Sequence, residues 1–313
     1  MSALLGIVFF VIGVALAIWA TERLLEGLVG LSLALRLSAF AVGAVLSGLE
    51  AENVAVGLAA GSQRVAAIAL GTVFGGASFL LCVALGLGAL LFPLRIHLPR
   101  GVLILFAASP LIAGIALINP VTPRWAGAVL LIVFVVIMFY IVRISRHHTF
   151  LESKEIEEAQ EKQRPLWLVI VYTLIGLVTI SVGGELIAQG AVRIIATLGV
   201  PALLMGMVVT PAAIELEEVF RQAIPSKEGR HDVSAGNLVG TLLYFLLFNL
   251  GCIALFTPVQ VSPLIRQLDW PFLIVVTLFV TILLWRGRVG RVAGIVLLMA
   301  YAGYITLHII FRV

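Results

Sequence analysis

The chain has 313 residues, of which 62% are hydrophobic and only 12% charged, with a mean hydropathy of +1.18. Soluble domains carry roughly 45–50% apolar and about 25% charged residues, so the composition describes an integral membrane protein that crosses the bilayer several times. A formal net charge of +4 does not point to nucleic acid, because the basic residues lie in loops, where membrane topology accounts for them.

A spanning helix needs about 20 mostly apolar residues. In chain order such segments fall at 3–33, 37–60, 65–92, 101–119, 124–145, 166–197, 201–222, 234–258, 269–286 and 291–311. The opening residues MSALLGIVFF have no basic start, so no cleaved leader is expected. The one long polar stretch, RISRHHTFLESKEIEEAQEKQRP at 143–165, falls between the fifth and sixth segments. Its mixed acids and bases suit a short solvated helix; it lacks the Asp-x-Asp pattern of a calcium loop. Placing it in the cytoplasm puts fourteen Lys and Arg residues on that side and five outside, with Arg23 inside the first segment. Positive charge favours the cytoplasmic side, so both termini are expected outside an inner (plasma) membrane.

Five segments per half is an odd number, so the halves run in opposite directions, which is the geometry of an inverted repeat. The expected fold is all-α: ten transmembrane helices as two inverted five-helix units, residues 1–146 and 165–313, joined by a linker at 147–164. The sequence itself repeats. At a displacement of 165, Glu50 meets Glu215, Glu52 meets Glu217, Gly71 meets Gly236, Gly75 meets Gly240 and Gly86 meets Gly251. Upstream the displacement becomes 163, where Glu22 meets Glu185, Gly27 meets Gly190 and Gly43 meets Gly206.

The acids in this repeat carry the chemistry. SGLEAENV (47–54) holds Glu50, Glu52 and Asn53, and AIELEEVF (213–220) holds Glu215, Glu217 and Glu218. A carboxylate at the bilayer centre costs about 2.5–3.5 kcal/mol unless it meets a cation, a partner or water. Helical spacing puts Glu215 with Glu218, and Glu50 with Asn53, on one face; Glu217 and Glu52 point elsewhere unless the helix breaks, as Pro211 and Gly48 would allow. One reading is a mid-membrane cation site lined by both halves, since Ca²⁺ takes six to eight oxygen ligands. The other is that the acids pair with arginine or sit at the water interface, and Arg221 lies three residues beyond Glu218.

ALGTVFGGASF (69–79) and SAGNLVGTLLYF (234–245) each carry two glycines four apart. They read as small-residue packing faces that would also bring Thr72, Ser78, Asn237 and Thr241 toward the acids. Cys82 and Cys252 read as small core residues. Glu22, Arg23 and Glu26, echoed by Glu185 and Gln189, read as an interfacial cluster or as part of a sliding helix pair. His97, His147, His148, His231 and His308 lie at helix ends or in loops and read as solvated or interfacial. No nucleophile–base pair or zinc motif is present, so the chain does not read as an enzyme.

Taken together these stretches resemble the Ca²⁺/cation antiporter superfamily, which includes sodium/calcium and calcium/proton exchangers. The superfamily carries two inverted repeats, each with a G-T-S-x-P-E-type motif followed by G-N-x-x-G-S-N. LSAFAVGAVLSGLEAEN (37–53) and LGVPALLMGMVVTPAAIELEE (198–218) resemble the first motif, and LGTVFGGASFLLCVALGLGALLFPL (70–94) the second with its following helix. Counted back from Gly236 and Gly71 by the superfamily's interval, the motif glutamate falls on Glu218 in one half and on Asn53 in the other; Glu52 with Asn53 also resembles the acid-plus-polar pair of calcium/proton exchangers, so two registers are open in the first half. Gly76 and Thr241 stand where the motif has Ser, and Leu80 and Phe245 stand where it has Asn or Asp.

The resemblance implies secondary exchange of Ca²⁺ or Na⁺ against H⁺ or Na⁺, with the cation as cargo and no resident cofactor. Its implied ligands are Glu50, Glu52, Asn53, Thr72, Glu215, Glu217, Glu218, Asn237 and Thr241. The expected partners are cations, protons and the lipid bilayer. A membrane scaffold or sensor that keeps the fold without transporting is the other expectation.

Overall fold

The computed structural model describes residues 2–35, 39–47, 51–62, 66–145, 165–197 and 215–311. The linker at 147–164, most of the 201–222 segment, His147, His148 and Glu50 lie outside them, as do the side chains of Glu22, Glu26, Glu52 and Glu185.

Helices dominate, as a chain with no water to satisfy its backbone requires. The first half runs α1 (Ser2–Leu35), α2 (Ala39–Val42) with a π-helical turn at Gly43–Ser47, α3 (Ala51–Ser62), α4 (Ala66–Phe79), a π-helical turn at Leu80–Ala84, α5 (Leu85–Leu91), β1 (Leu94–Arg95), α6 (Arg100–Ala113) and α7 (Arg124–Ser145). The second runs α8 (Leu166–Thr197), α9 (Leu216–Lys227), α10 (His231–Leu243), a π-helical turn at Tyr244–Asn249, α11 (Leu250–Phe256), a π-helical turn at Ile265–Asp269, α12 (Trp270–Trp285), β2 (Arg288–Val289) and α13 (Arg291–Phe311). Among the described residues, six continuous helical stretches are long and apolar enough to cross a membrane.

The element boundaries recur at the displacement seen in the sequence. α3 and α9 match at both ends, as do α5 and α11, and the π-helical turns before α5 and α11 fall at equivalent places. Burial sorts the helices into a centre and a rim. In the most apolar 18-residue windows of Ala69–Leu91 and His231–Phe256, 83% and 89% of the residues are buried, against 28% in each of Arg124–Ile144 and Arg291–Ile310. The rim turns Ile132, Val136, Phe139, Val292, Ile295 and Met299 outward, as lipid-facing helices do.

Glycines set the closest crossings. Gly236 and Gly240 lie against the backbone of Phe40 and Ala44, where an added Cβ would sit 2.3 and 2.1 Å from the two carbonyl oxygens. Two glycine-on-glycine crossings tie the halves together, Gly86 of α5 on Gly294 of α13 and Gly251 of α11 on Gly127 of α7. α1 and α8 run antiparallel along their length: Gly27 meets Thr173, Gly30 meets Val169, and the Arg193 guanidinium sits 4.5 Å above the Phe9 ring. At 34 residues, α1 is about 50 Å long, more than a hydrocarbon core of about 30 Å, so this pair must tilt.

The segment 269–286 begins earlier than its composition implies, in the turn at Ile265. Asp269 is the reason: its side chain is buried against α13, so the polar residues of IRQLD join the helix instead of ending it.

Replacing Gly240 by leucine forces α10 off the Gly43–Ser47 turn. Overpacking of this kind costs about 1–3 kcal/mol or more; the expected result is a lower melting temperature and loss of monodisperse protein in detergent, with Gly303→Leu, where nothing lies within 4 Å of an added Cβ, as the silent control.

Candidate cation site

The AIELEEVF acids enter α9 at its first turn. Glu215 precedes the helix with φ −81° and ψ 1°, and its carbonyl accepts the Glu218 N–H at 3.0 Å. The chain therefore turns at Glu215 rather than continuing a regular helix, and the three side chains separate. Glu215 reaches across to the other half, where Asn53 Nδ2 of α3 donates to its Oε1 at 2.8 Å. Gly76 of α4 borders the same carboxylate: a Cβ there would lie 3.3 Å from Glu215 Oε1 and 3.2 Å from the Phe245 ring. A side chain at Gly76 would push into the carboxylate, which explains glycine at that position.

Glu217 and Glu218 turn to Arg221 instead. Arg221 Nη2 lies 2.6 Å from Glu217 Oε1, and Nη1 donates to Glu218 Oε1 at 2.8 Å. Asn237 Nδ2 of α10 donates to the other oxygen of Glu218 at 2.7 Å. With its oxygen toward α10, the Gln222 amide accepts from the same Asn237 amide at 2.9 Å and from the Leu238 N–H at 3.3 Å. Helical spacing alone put Glu215 and Glu218 on one face and Glu217 elsewhere; the structure pairs Glu217 with Glu218 and sends Glu215 away, because the turn at Glu215 breaks the period. Arginine pairing is thus the observed state of Glu217 and Glu218.

Every member of this cluster is buried. Asn53 and Glu218 are fully inaccessible, Glu215, Glu217 and Asn237 are 1% exposed, and Arg221 is 3% exposed. Glu217 and Glu218 share the Arg221 guanidinium, and Glu215 meets Asn53 instead. Burying an uncompensated charge costs several kcal/mol, so each of these carboxylates depends on a positive group, hydrogen-bond donors or a proton. The other expected ligands differ in standing. Thr72 is buried but donates back to the Ala69 carbonyl at 2.9 Å. Thr241 is fully buried with no hydrogen-bond partner for its hydroxyl among the described residues. Glu50 and the Glu52 side chain lie outside the described residues, and among those described no three His, Cys, Asp or Glu side chains surround a common point.

Two features were not visible in the sequence. Asn249 is fully buried with both amide atoms unpartnered among the described residues, one helical turn from Asn53, beside Gly57. Asparagine in an apolar run was the available signal. The second is His308, read as interfacial from its place near a helix end. It is buried and paired with Asp269, because α12 and α13 pack their ends together there.

This architecture is that of an ion exchanger fold. The model of the family described as sodium/calcium exchanger protein matches residues 5–143 and 168–310, and the chain belongs to that family. It is 25% identical over 304 residues to inner membrane protein YrbG of Escherichia coli, covering 94% of each chain. To the sodium/calcium exchanger MaX1 of Methanosarcina acetivorans it is 23% identical over 137 residues, 43% of this chain and 39% of that one. Solved structures of the sodium-calcium exchanger NCX_Mj superpose with a TM-score of 0.81 at 20% identity, over 97% of this chain and 98% of that one. The protein is therefore a multi-pass membrane transporter of the exchanger family.

Removing the guanidinium tests the charge balance. Arg221→Gln leaves buried carboxylates unpaired and is expected to cost about 3–5 kcal/mol at neutral pH. Mild acid should recover part of the loss, because protonation removes the repulsion. Thermal melts in detergent read this; Arg221→Gln with Glu217→Gln and Glu218→Gln should melt near wild type, and an unchanged melting temperature for Arg221→Gln alone contradicts the pairing.

Proposed function

We propose that the protein is a secondary active antiporter that exchanges Ca²⁺ or Na⁺ for H⁺ or Na⁺ at the Glu215 carboxylate. Ten spans in two inverted five-helix halves, 1–146 and 165–313, with a cytoplasmic linker at 147–164, would place this group near mid-membrane and both termini outside the plasma membrane. The antiparallel α1–α8 pair and the recurrence of element boundaries support that arrangement. The observation that carries the function is the Asn53–Glu215 contact. It joins the two halves at a buried carboxylate that two further buried acids follow in the chain.

Arg221 contacts Glu217 and Glu218; in this reading Glu215, which faces the other half through Asn53, is the carboxylate that binds and titrates. Glu50 and Glu52 from the first half would complete the acidic shell, with Asn53, Thr72, Asn237, Thr241 and the buried Asn249 supplying neutral oxygens. Crowded carboxylates titrate as a group, so protons and cation compete for the same charge. Binding one releases the other, and exchange follows when α1 and α8 tilt across the core to change access. No resident cofactor takes part.

The Arg221 tether on Glu218, together with Leu80 and Phe245 where the superfamily has polar ligands, favours a second reading in which the fold serves as a non-transporting scaffold. Purified protein in liposomes separates the two. Antiport predicts cation flux driven by an imposed pH or Na⁺ gradient, abolished in Glu215→Gln and reduced at least tenfold in Asn53→Ala, the loss of one charged hydrogen bond being worth about 1.5–3 kcal/mol. No flux in the wild type under either gradient selects the scaffold.

A further inference from the structure

Away from the acidic cluster, the second half buries another set of titratable side chains. Asp269 closes the turn into α12, and Tyr304 and His308 lie one turn apart on α13. Asp269 and Tyr304 are 2% exposed and His308 is 6% exposed. The Tyr304 hydroxyl donates to Asp269 Oδ1, and His308 Nε2 lies 3.0 Å from the same oxygen. His308 Nδ1 lies 3.1 Å from the Tyr304 backbone carbonyl.

That last contact determines the protonation of the ring. A carbonyl oxygen only accepts, so Nδ1 carries a hydrogen. A neutral imidazole has only one N–H, so its Nε2 would face Asp269 with a lone pair. Two acceptors 3.0 Å apart repel, so the contact is favourable only if the pair carries one further proton. The pair is then either imidazolium with carboxylate or imidazole with carboxylic acid.

The surroundings leave this proton as the available counter-charge. Arg266, on the same turn as Asp269, donates to the Asn119 carbonyl, and among the described residues no Lys or Arg pairs with Asp269. The other titratable groups packed nearby are Tyr301 on α13 and Cys82 on the turn before α5. The set also breaks the internal repeat. Displaced by 165 to 167 residues, Asp269 corresponds to Val102–Ile104, Tyr304 to Ile137–Phe139 and His308 to Ile141–Arg143, none of them an acid, a tyrosine or a histidine. The scaffold therefore does not need these side chains.

A row of rings leads from this pair toward the acids. The His308 ring sits 4.4 Å from that of Tyr304, and Tyr304 lies 5.8 Å from Tyr301, centroid to centroid. Tyr301 is within electrostatic reach of Glu215.

We propose that Asp269, His308 and Tyr304 form a proton-binding site, separate from the acidic cluster, that takes one proton from the side on which α13 ends and couples its charge to Glu215 along Tyr304 and Tyr301. Loading moves a proton from water onto the ring–carboxylate pair, taking its net charge from −1 to 0, with no electron transfer. The coupling rests on the exchange reading above; the site itself does not.

Two measurements keep these apart. Nitrogen NMR of histidine-labelled protein in nanodiscs, with His308→Gln assigning the signal, should show an Nδ1-protonated ring sharing a proton at Nε2 at neutral pH, and Asp269→Asn should shift that signal. A ring protonated only at Nε2, or a signal unmoved by Asp269→Asn, overturns the site. In liposomes, His308→Gln and Asp269→Asn should lose the dependence of cation flux on pH at the α13-end side while keeping it on the opposite side; Tyr301→Phe should weaken it. Flux with unchanged pH dependence in these variants overturns the coupling. Absence of flux in the wild type sinks the exchange reading, and with it the coupling, while the NMR result still decides the site.

Discussion

The structure is organised around a charge that cannot be left alone. Glu215, Glu217 and Glu218 are all buried, and Glu217 and Glu218 share the Arg221 guanidinium. In a low-dielectric interior a carboxylate is tolerable only when it meets a positive group, hydrogen-bond donors or a proton. The helix turn at Glu215 matters for the same reason. It separates one carboxylate from the two that Arg221 satisfies and delivers it to Asn53 in the other half.

Everything around the cluster serves close approach. Gly236 and Gly240 let α10 lie on the backbone of the Gly43–Ser47 turn, and Gly76 leaves room for the Glu215 carboxylate. The π-helical turns before α5 and α11 fall at equivalent places in the two halves; turns of this kind cluster at functional sites because they re-aim side chains within an otherwise continuous helix. Asn249, at the end of one of them, is thereby carried to the neighbourhood of Asn53 with its amide unspent. The two long helices α1 and α8 lie against α9, with a seam of glycine, threonine and valine between them. Small side chains interdigitate shallowly, which suits sliding better than locking.

The departures from the superfamily motif form a pattern. One half offers Asn53 where the motif has glutamate, and the other keeps Glu218 but ties it to Arg221. Glu215, three residues earlier, is the acid that instead meets Asn53. An acid other than the one at the motif position thus faces the other half, while Arg221 engages the one that is there. The Asp269–His308 pair adds a titratable group that has no equivalent in the first half.

Much was legible from residue types and spacing. Hydropathy marked the helices, the displaced glycines and glutamates exposed the repeat, and the cost of a carboxylate in lipid singled out the AIELEEVF acids, because these are local or periodic properties. The spacing also flagged Arg221 as a possible partner without deciding whether it or a cation would hold Glu218. Which acid meets which group was not legible. It depends on one backbone turn at Glu215, on α3 and α9 meeting across more than 160 residues of chain, and on how closely glycines allow helices to approach. His308 makes the same point: near a helix end it reads as interfacial, and only the packing of α12 on α13 buries it beside Asp269. The sequence by itself determined a membrane protein of repeated helices, with acids it must neutralise and an arginine within about one helical turn of two of them; tertiary contacts alone paired Glu215 with Asn53 and Asp269 with His308, because a buried charge takes its partner from whatever lies nearest in space, and distance along the chain carries no record of that.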